Sequence, residues 1–461
     1  METERDFFAD RKITVLGLGL LGRGVGDVEF LAKMGAQVLV TDKKSEEALR
    51  GSVDLLKKYS NVTFRLGGHD IKDFTDCDMV IKAAGVRPDS PEISAAKKAG
   101  IPVYMSTALF AKFATEKGAR IVGVTGTRGK STVTHMIHHC LVQIKESRGL
   151  NRAEGAVGRT ILQAEIALGG NIRGVSTLAL LPEIQKGDVC VLELDSWQLQ
   201  GFGDLKISPH ISVFTNLMPD HQNYYASMDE YFADKANIFK FQSETDVLIC
   251  GDGVLEEIRA ARPVAMPHVP KPIPSDWSLQ IPGEHNRANA ALAAEALRAV
   301  GLNETEIRSG VETFAGVEGR LHFVGEKNGV RIYNDNNATT PEATIAALRA
   351  LSNYGHPMSI ILIMGGADKG LEMGALLLEI TKTCKRVILL SGSGTSRVVP
   401  LMSDYSVFDS LPDAVKEAIH SASKGDIILF SPAFASFGMF VNEYDRNDQF
   451  MAALATHFLK R

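Results

Sequence analysis

Three times along this 461-residue chain a short run of β-branched and aliphatic side chains ends directly in glycine: KITVLGLG at 12–19, ARIVGVTG at 119–126 and SIILIMGG at 359–366. Runs this short are strands rather than helices, and their unbroken apolar character belongs to strands covered on both faces. Helical spacing follows the first two, in VEFLAKMG and TVTHMIHHCL. Similar runs flank each of the three: AQVLVTD and DMVIKAAG; VCVLELD, ISVFTNL and DVLICGD; VRIYNDN, RVILLSG and DIILFSPA. Strand, turn and helix alternating in this way build parallel sheets. The expected fold class is therefore α/β with three domains: a Rossmann-like N-terminal domain over 1–115, a central P-loop ATPase-type domain over 116–316 and a C-terminal Rossmann-like domain over 317–461. The proline-rich stretch ARPVAMPHVPKPIPSD at 261–276 reads as a surface excursion within the second.

Several classes of protein fit poorly. No apolar run reaches the roughly 18 residues that span a bilayer, and the charged start METERDFFADRK lacks a signal-peptide core. A formal charge of −5 argues against a nucleic-acid partner. Cys77, Cys140, Cys190, Cys250 and Cys384 are scattered, with neither disulfide nor metal-knuckle spacing. A cytoplasmic protein with no membrane insertion is expected.

The second glycine turn carries the most chemistry. TGTRGKST at 125–132 lies between a strand and a helix, where backbone N–H groups of the turn and helix start can face phosphates. Gly126 and Gly129 allow close approach, Lys130 offsets β/γ-phosphate charge, and the Ser131 hydroxyl meets Mg²⁺. Thr127, Arg128 and Thr132 complete the loop. The usual G-x-x-x-x-G-K-[ST] spacing would need glycine at position 124, where Val124 stands. This shortened loop points away from the common P-loop NTPases. A chance glycine–lysine turn is the competing reading.

The first turn has Gly17, Gly19 and Gly22 in G-x-G-x-x-G spacing, with Asp42 at a strand end twenty residues beyond. Taken alone, this is a dinucleotide fingerprint of low specificity, compatible with NAD or FAD. Lys43 and Lys44 are open to two readings, phosphate contacts or a solvated pair. Glu193 ends the strand VCVLELD, where a carboxylate facing the phosphate loop suits a hard Mg²⁺ ion; a strand-end ion pair with a lysine is the alternative.

The loop GVTGTRGKST resembles the short G-T-x-G-K-[ST] loop of the Mur ligases, ATP-dependent amide ligases of peptidoglycan precursor synthesis. GGNIRG (169–174), LELDSWQLQ (192–200), NLMPDH (216–221), GEHNRANAALA (283–293), NDNNATTP (334–341), GGADKG (365–370) and SPAFASF (431–437) resemble further family blocks in the same order. The resemblance spans essentially the whole chain, and the last three blocks are most like the D-glutamate-adding branch.

The resemblance implies specific roles. The N-terminal domain would hold the uridine diphosphate of a sugar substrate rather than NAD, through Gly17, Gly19, Leu20, Gly22, Asp42, Lys43, Gly85 and Asn171, with Asp42 bonding base or ribose. ATP would meet the loop residues and also Asn286, Asn289, Arg320 and Asp335. Lys130, Glu193, His221 and Lys235 would be catalytic. Two Mg²⁺ ions would take Ser131, Glu193, His221 and Lys235 as ligands, the last as a carbamate formed with CO₂. Imidazole is an unusual Mg²⁺ ligand, so Mn²⁺ is expected to substitute. Thr339, Lys369, Ser436 and Phe437 would hold D-glutamate. The implied reaction joins D-glutamate to UDP-N-acetylmuramoyl-L-alanine, in a monomer.

Two departures from the family pattern stand out. Asn337 occupies a position where the D-glutamate branch has lysine, leaving Lys130 or Arg128 to supply that charge. Glu443 and Tyr444 stand where an aromatic and then a polar residue are expected. Alternatives that remain open are a superfamily ligase for another amino acid, a UDP-sugar-binding module without catalysis, and, on Gly17–Gly22 alone, an NAD-dependent oxidoreductase.

Overall fold

A computed structural model describes residues 4–19, 22–147, 164–220, 224–352 and 358–458. They form two compact units, Met1–Lys271 with Ala291–Gly310, and Pro272–Ala290 with Val311–Arg461.

The first unit contains two sheets. One holds β1 (Lys12–Leu16), β2 (Gln37–Asp42), β3 (Val62–Leu66), β4 (Met79–Lys82) and β5 (Val103–Tyr104), in the order β3-β2-β1-β4-β5. The other holds β6 (Arg120–Thr125), β7 (Ile166–Gly170), β8 (Val189–Glu193), β9 (Ile211–Phe214), β10 (Val247–Cys250) and β11 (Pro267–His268), in the order β11-β10-β9-β6-β8-β7. Every pairing in both sheets is parallel. The inner strands β4, β8 and β9 are buried along their whole length, as their mainly apolar sequences require, with Lys82, Glu193 and Ser212 buried among them. The proline-rich stretch contributes β11 at the sheet edge, the place where a strand proline loses no ladder bond.

The second unit contains β12 (His322–Lys327), β13 (Val330–Asn334), β14 (Ile360–Gly365), β15 (Cys384–Leu390), β16 (Ser406–Phe408) and β17 (Ile427–Phe430), in the order β12-β13-β17-β14-β15-β16. Only β12 runs antiparallel, as the outer strand of a hairpin with β13. This hairpin leaves little mark in the sequence, because β12 is half-buried and lacks the apolar run of its neighbours. No helix among the described residues is long and apolar enough to cross a membrane.

In each sheet the neighbours of a central strand bring separated sequence blocks to one C-terminal edge. Open parallel sheets bind ligands there. Strands β2, β1 and β4 carry Asp42, the first glycine turn and Gly85. Strands β9, β6, β8 and β7 carry Asn216, the phosphate loop, Glu193 and Asn171. Strands β13, β17 and β14 carry NDNNATT, SPAFASF and GGADKG.

Candidate active site

The phosphate loop leaves β6 and enters the helix Lys130–Ser147. Gly126 (φ +136°) and Gly129 (φ +82°) have backbone angles that side chains disfavour. At Gly126 the space is also closed, since a Cβ would lie 2.0 Å from Thr215 Oγ1. The end of β9 clamps the loop. Thr127 N donates to Asn216 O (2.9 Å), Arg128 N to Asn216 Oδ1 (2.9 Å) and Thr215 Oγ1 to Arg128 O (2.5 Å). Thr127 Oγ1 donates to Met218 O (3.2 Å) and lies 3.4 Å from the Tyr231 hydroxyl. Thr127 and Ser131 are buried, while Arg128 is exposed.

Two lysines converge on this loop. Lys130 Nζ donates to Gly126 O (3.1 Å) and Thr127 O (3.0 Å). Lys235, on the helix Met228–Ala236, is only 1% exposed and donates to the same Gly126 O at 2.8 Å, with Thr125 Oγ1 at 3.4 Å. Burial, with the Lys130 charge adding to it, pulls the Lys235 amine down to about 7. Glu193, 3% exposed at the end of β8, is in register with Val124 of β6. No described residue hydrogen-bonds or ion-pairs with its carboxylate. A buried, unpaired carboxylate two residues across from the phosphate loop fits a hard cation. Asn171 N donates to Glu193 O (2.8 Å), and a Cβ at Gly170 would meet that carbonyl at 2.0 Å, so the two strand ends are tightly apposed. Among the described residues no three His, Cys, Asp or Glu side chains cluster as a metal site. His221 lies outside the described residues, as does Leu20.

In the first sheet Gly17 (φ +94°), Gly19 (φ +68°) and Gly22 (φ +82°) shape the turn after β1. Asp42 is engaged inside the turn: Oδ2 accepts from Leu18 N (3.0 Å) and Gly19 N (3.2 Å), and Oδ1 from Lys44 N (2.9 Å). Its carboxylate therefore shapes the glycine turn whatever else it contacts. Lys43 and Gly85 are exposed. Gly24, which the sequence reading passed over, is required by space, because a Cβ there would lie 2.1 Å from Leu18 O.

The second unit holds the remaining expected residues. Asn286 and Asn289 are buried on the helix Glu284–Val300, where Asn286 Nδ2 donates to Pro282 O (2.7 Å) and Asn289 Nδ2 to Asn286 Oδ1 (3.3 Å). Arg320 is exposed. Asp335 accepts from Leu321 N (3.0 Å) and Ser431 Oγ (2.9 Å), and burial raises its carboxyl to about 7. Lys369 Nζ donates to Thr339 Oγ1 (2.9 Å). Backbone bonds between Ala367 and Ala435 (3.0 and 3.2 Å) tie the Lys369 loop to that of Ser436. Ser436 is buried and Phe437 is 66% exposed. The structure thus brings Thr339, Lys369 and Ser436 to one edge of the sheet.

Glu443 opens the helix Glu443–His457, capped by Asn442, whose side chain accepts from Tyr444 N and Asp445 N. One turn into that helix lies a residue that the sequence reading missed. Arg446 is fully buried and donates to Asn336 Oδ1 (2.8 Å), Asn336 O (2.8 Å) and Phe434 O (3.1 Å). Helical spacing alone gives no sign of it, since arginine at such a position is ordinarily solvated.

These loops set a glycine turn of phosphate-loop form beside a buried lysine and a buried carboxylate, on folds shared with known enzymes. Three family descriptions match consecutive parts of the chain: Mur ligase MurD-like N-terminal domain over 11–105, Mur ligase middle domain over 124–270, and Mur ligase glutamate ligase domain over 319–434. The chain belongs to the Mur ligase family. Among its curated relatives is the UDP-N-acetylmuramoylalanine--D-glutamate ligase of Roseiflexus sp. (strain RS-1), 34% identical over 96% of this chain and 98% of the relative. Another is the enzyme of the same name from Borreliella burgdorferi (strain ZS7), 34% identical over 95% and 96%. In fold, the chain is similar to UDP-N-acetylmuramate-alanine ligase MurC from Thermotoga maritima, with TM-score 0.59, 18% identity and coverage of 97% and 99%. It is also similar to MurF ligase from the same organism, with TM-score 0.56, 15% identity and coverage of 91% and 94%.

Proposed function

We propose that the protein is an ATP-dependent amide ligase that adds D-glutamate to UDP-N-acetylmuramoyl-L-alanine in peptidoglycan precursor synthesis. The observation that carries this reading is the convergence of Lys130, Lys235 and the unpaired carboxylate of Glu193 on a shortened phosphate loop, in a chain whose relatives at 34% identity bear that enzyme name.

A carboxylate oxygen of the L-alanyl group attacks the γ-phosphorus of ATP, the bond to the β-phosphate oxygen breaks, and ADP leaves. The resulting acyl phosphate is attacked at its carbonyl carbon by the D-glutamate amine, which gives up a proton as inorganic phosphate departs. The protein's part is positioning and charge stabilisation. Backbone N–H groups of 126–132 and the Lys130 ammonium hold the phosphates. Gly17, Gly19, Gly22 and Gly85 lie in the turns proposed for the uridine diphosphate, and Lys43 and Asn171 are assigned to the same ligand. Asn286, Asn289, Arg320 and Asp335 are assigned to ATP; Thr339, Lys369, Ser436 and Phe437 to D-glutamate. The proposed division of labour follows domains 1–115, 116–316 and 317–461.

Ser131 and Glu193 are proposed to hold Mg²⁺, joined by His221 and by Lys235 as a carbamate; bound divalent ions would offset the charge that gathers on the phosphates. A buried, depressed amine suits carbamate formation, in which neutral nitrogen attacks CO₂ and releases a proton. The carbamate keeps one N–H for Gly126 O. The five cysteines are free thiols, which suits a reducing cytoplasm.

Incubation with ATP, UDP-N-acetylmuramoyl-L-alanine and D-glutamate should give ADP and a conjugate heavier by one glutamyl residue in the mass spectrum. ATP turnover with no conjugate would contradict the proposal.

A further inference from the structure

Arg446 is a guanidinium with no exposed surface, and all three of its bonds go to neutral acceptors. Among the described residues no carboxylate lies within ion-pair distance of it. Burying such a charge is costly unless something anionic shares its surroundings. The Glu443 charge, one helical turn earlier, favours the guanidinium through space without bonding to it, and the Arg446 hydrogen bonds lead away through Asn336 toward Asn337.

Arginine can only donate, so the Asn336 side-chain atom facing Nε is its oxygen. The Asn336 amide nitrogen must then point the other way. Its two hydrogens go to Glu443 O (2.8 Å) and to Asn337 Oδ1 (3.1 Å). The second bond fixes the Asn337 amide in turn, because the atom receiving a hydrogen is oxygen. Asn337 Nδ2 is left at the end of the chain, half-buried, donating to no described group. The main chain of Asn337 is held as well, with N donating to Gly319 O (2.8 Å) and O accepting from Thr339 N (3.0 Å). Thr339 receives the Lys369 ammonium through its hydroxyl. One turn thus presents an oriented N–H donor beside a hydroxyl–ammonium pair, with a buried cation behind it.

We propose that Arg446, Asn336 and Asn337 form a one-way donor relay whose open end, Asn337 Nδ2, binds a carboxylate of the incoming amino acid. Arg446 and Asn336 are positioning residues; Asn337 touches substrate. The inference rests on the ligase reading given above. A guanidinium polarising two successive amides makes the terminal N–H a better donor than an isolated asparagine. It also accounts for a neutral residue at position 337: the positive charge is set back by two hydrogen bonds and buried.

Asn337→Asp tests the relay, because Oδ1 of the aspartate still accepts from Asn336 while the donor becomes an anion. The KM for D-glutamate should rise at least about tenfold, with the KM values for ATP and the UDP-sugar within about twofold and the unfolding midpoint unchanged. Asn337→Ala should raise the same KM by a smaller factor. Arg446→Lys keeps a charge but cannot make the planar fork, and should also raise the D-glutamate KM selectively. If that variant fails to fold, the Asn337 pair still decides. An unchanged D-glutamate KM in Asn337→Asp would overturn the relay. So would a parallel rise in all three KM values with a lowered midpoint, the mark of a merely structural turn. Wild-type protein inert toward D-glutamate would instead overturn the ligase reading, and is measured first.

Discussion

At the scale of single residues, burial decides which charges matter. Lys235 and Asp27 are both ionisable groups moved by desolvation, in opposite directions. Asp27 accepts from Ser176 Oγ (2.6 Å), and burial raises its carboxyl to about 6. Its folded value lies above the unfolded one, so its contribution to stability is full below about 4 and is lost as pH rises through about 6. Asp27→Asn keeps the Ser176 bond and should flatten that loss, raising the urea midpoint at pH 7 but not at pH 4. For Lys235 the folded value lies below the unfolded one, so the ammonium opposes folding and the opposition fades as pH rises from about 7. The same window makes the amine available to CO₂. Bicarbonate should stimulate activity above pH 7 and lose its effect below it. Lys235→Ala should lose activity by about a hundredfold or more, with partial rescue by a small carboxylic acid; full activity without rescue would make Lys235 an ordinary helical lysine. Neither burial was legible in the sequence. DEYFADKANIF gives Lys235 the spacing of any helical lysine, and only the family resemblance singled it out. Arg446 and Asn336 were missed because their importance lies in contacts between segments about 110 positions apart.

At the scale of elements, the sequence was most informative where sterics leave no choice. β-branched runs became the strands expected of them, and the glycines after β1 and β6 adopt angles that other residues disfavour. The edge hairpin β12–β13 was not foreseen, because a half-buried antiparallel strand carries a weak pattern. Gly126→Ala tests the loop directly. A methyl group 2.0 Å from Thr215 Oγ1 and 3.0 Å from Asn216 N must push β9 and the loop apart. ATP binding should fall by at least about tenfold, read by nucleotide titration, while uridine-nucleotide binding stays within twofold. Just beyond Glu193, Asp195 caps the helix Ser196–Leu205, accepting from Gln198 N (2.7 Å) while its own N–H donates to Gln198 Oε1 (3.2 Å). Asp195→Ala should cost about 1 kcal/mol by urea unfolding; no loss would mean that β8 alone fixes this strand end.

At the scale of the whole molecule, three sheets each gather their sequence blocks on neighbouring strand ends, which parallel topology permits and sequence order hides. NDNNATT and SPAFASF lie about a hundred residues apart, yet they leave adjacent strands, β13 and β17. Strand order could not be read from the runs themselves, since an apolar run carries no mark of which strands lie beside it, and the family blocks give only the order along the chain. If the two glycine turns serve different nucleotides, their losses must separate. Lys130→Ala should abolish ADP formation while uridine-nucleotide affinity changes less than about twofold, and equal loss of both would contradict the division. The most direct test of the ligase assignment is phosphate release with ATP and UDP-N-acetylmuramoyl-L-alanine across D-glutamate, L-glutamate, L-alanine, L-lysine and diaminopimelate. Release should require the UDP-sugar and be fastest with D-glutamate; preference for any other amino acid, or release indifferent to all of them, would contradict it.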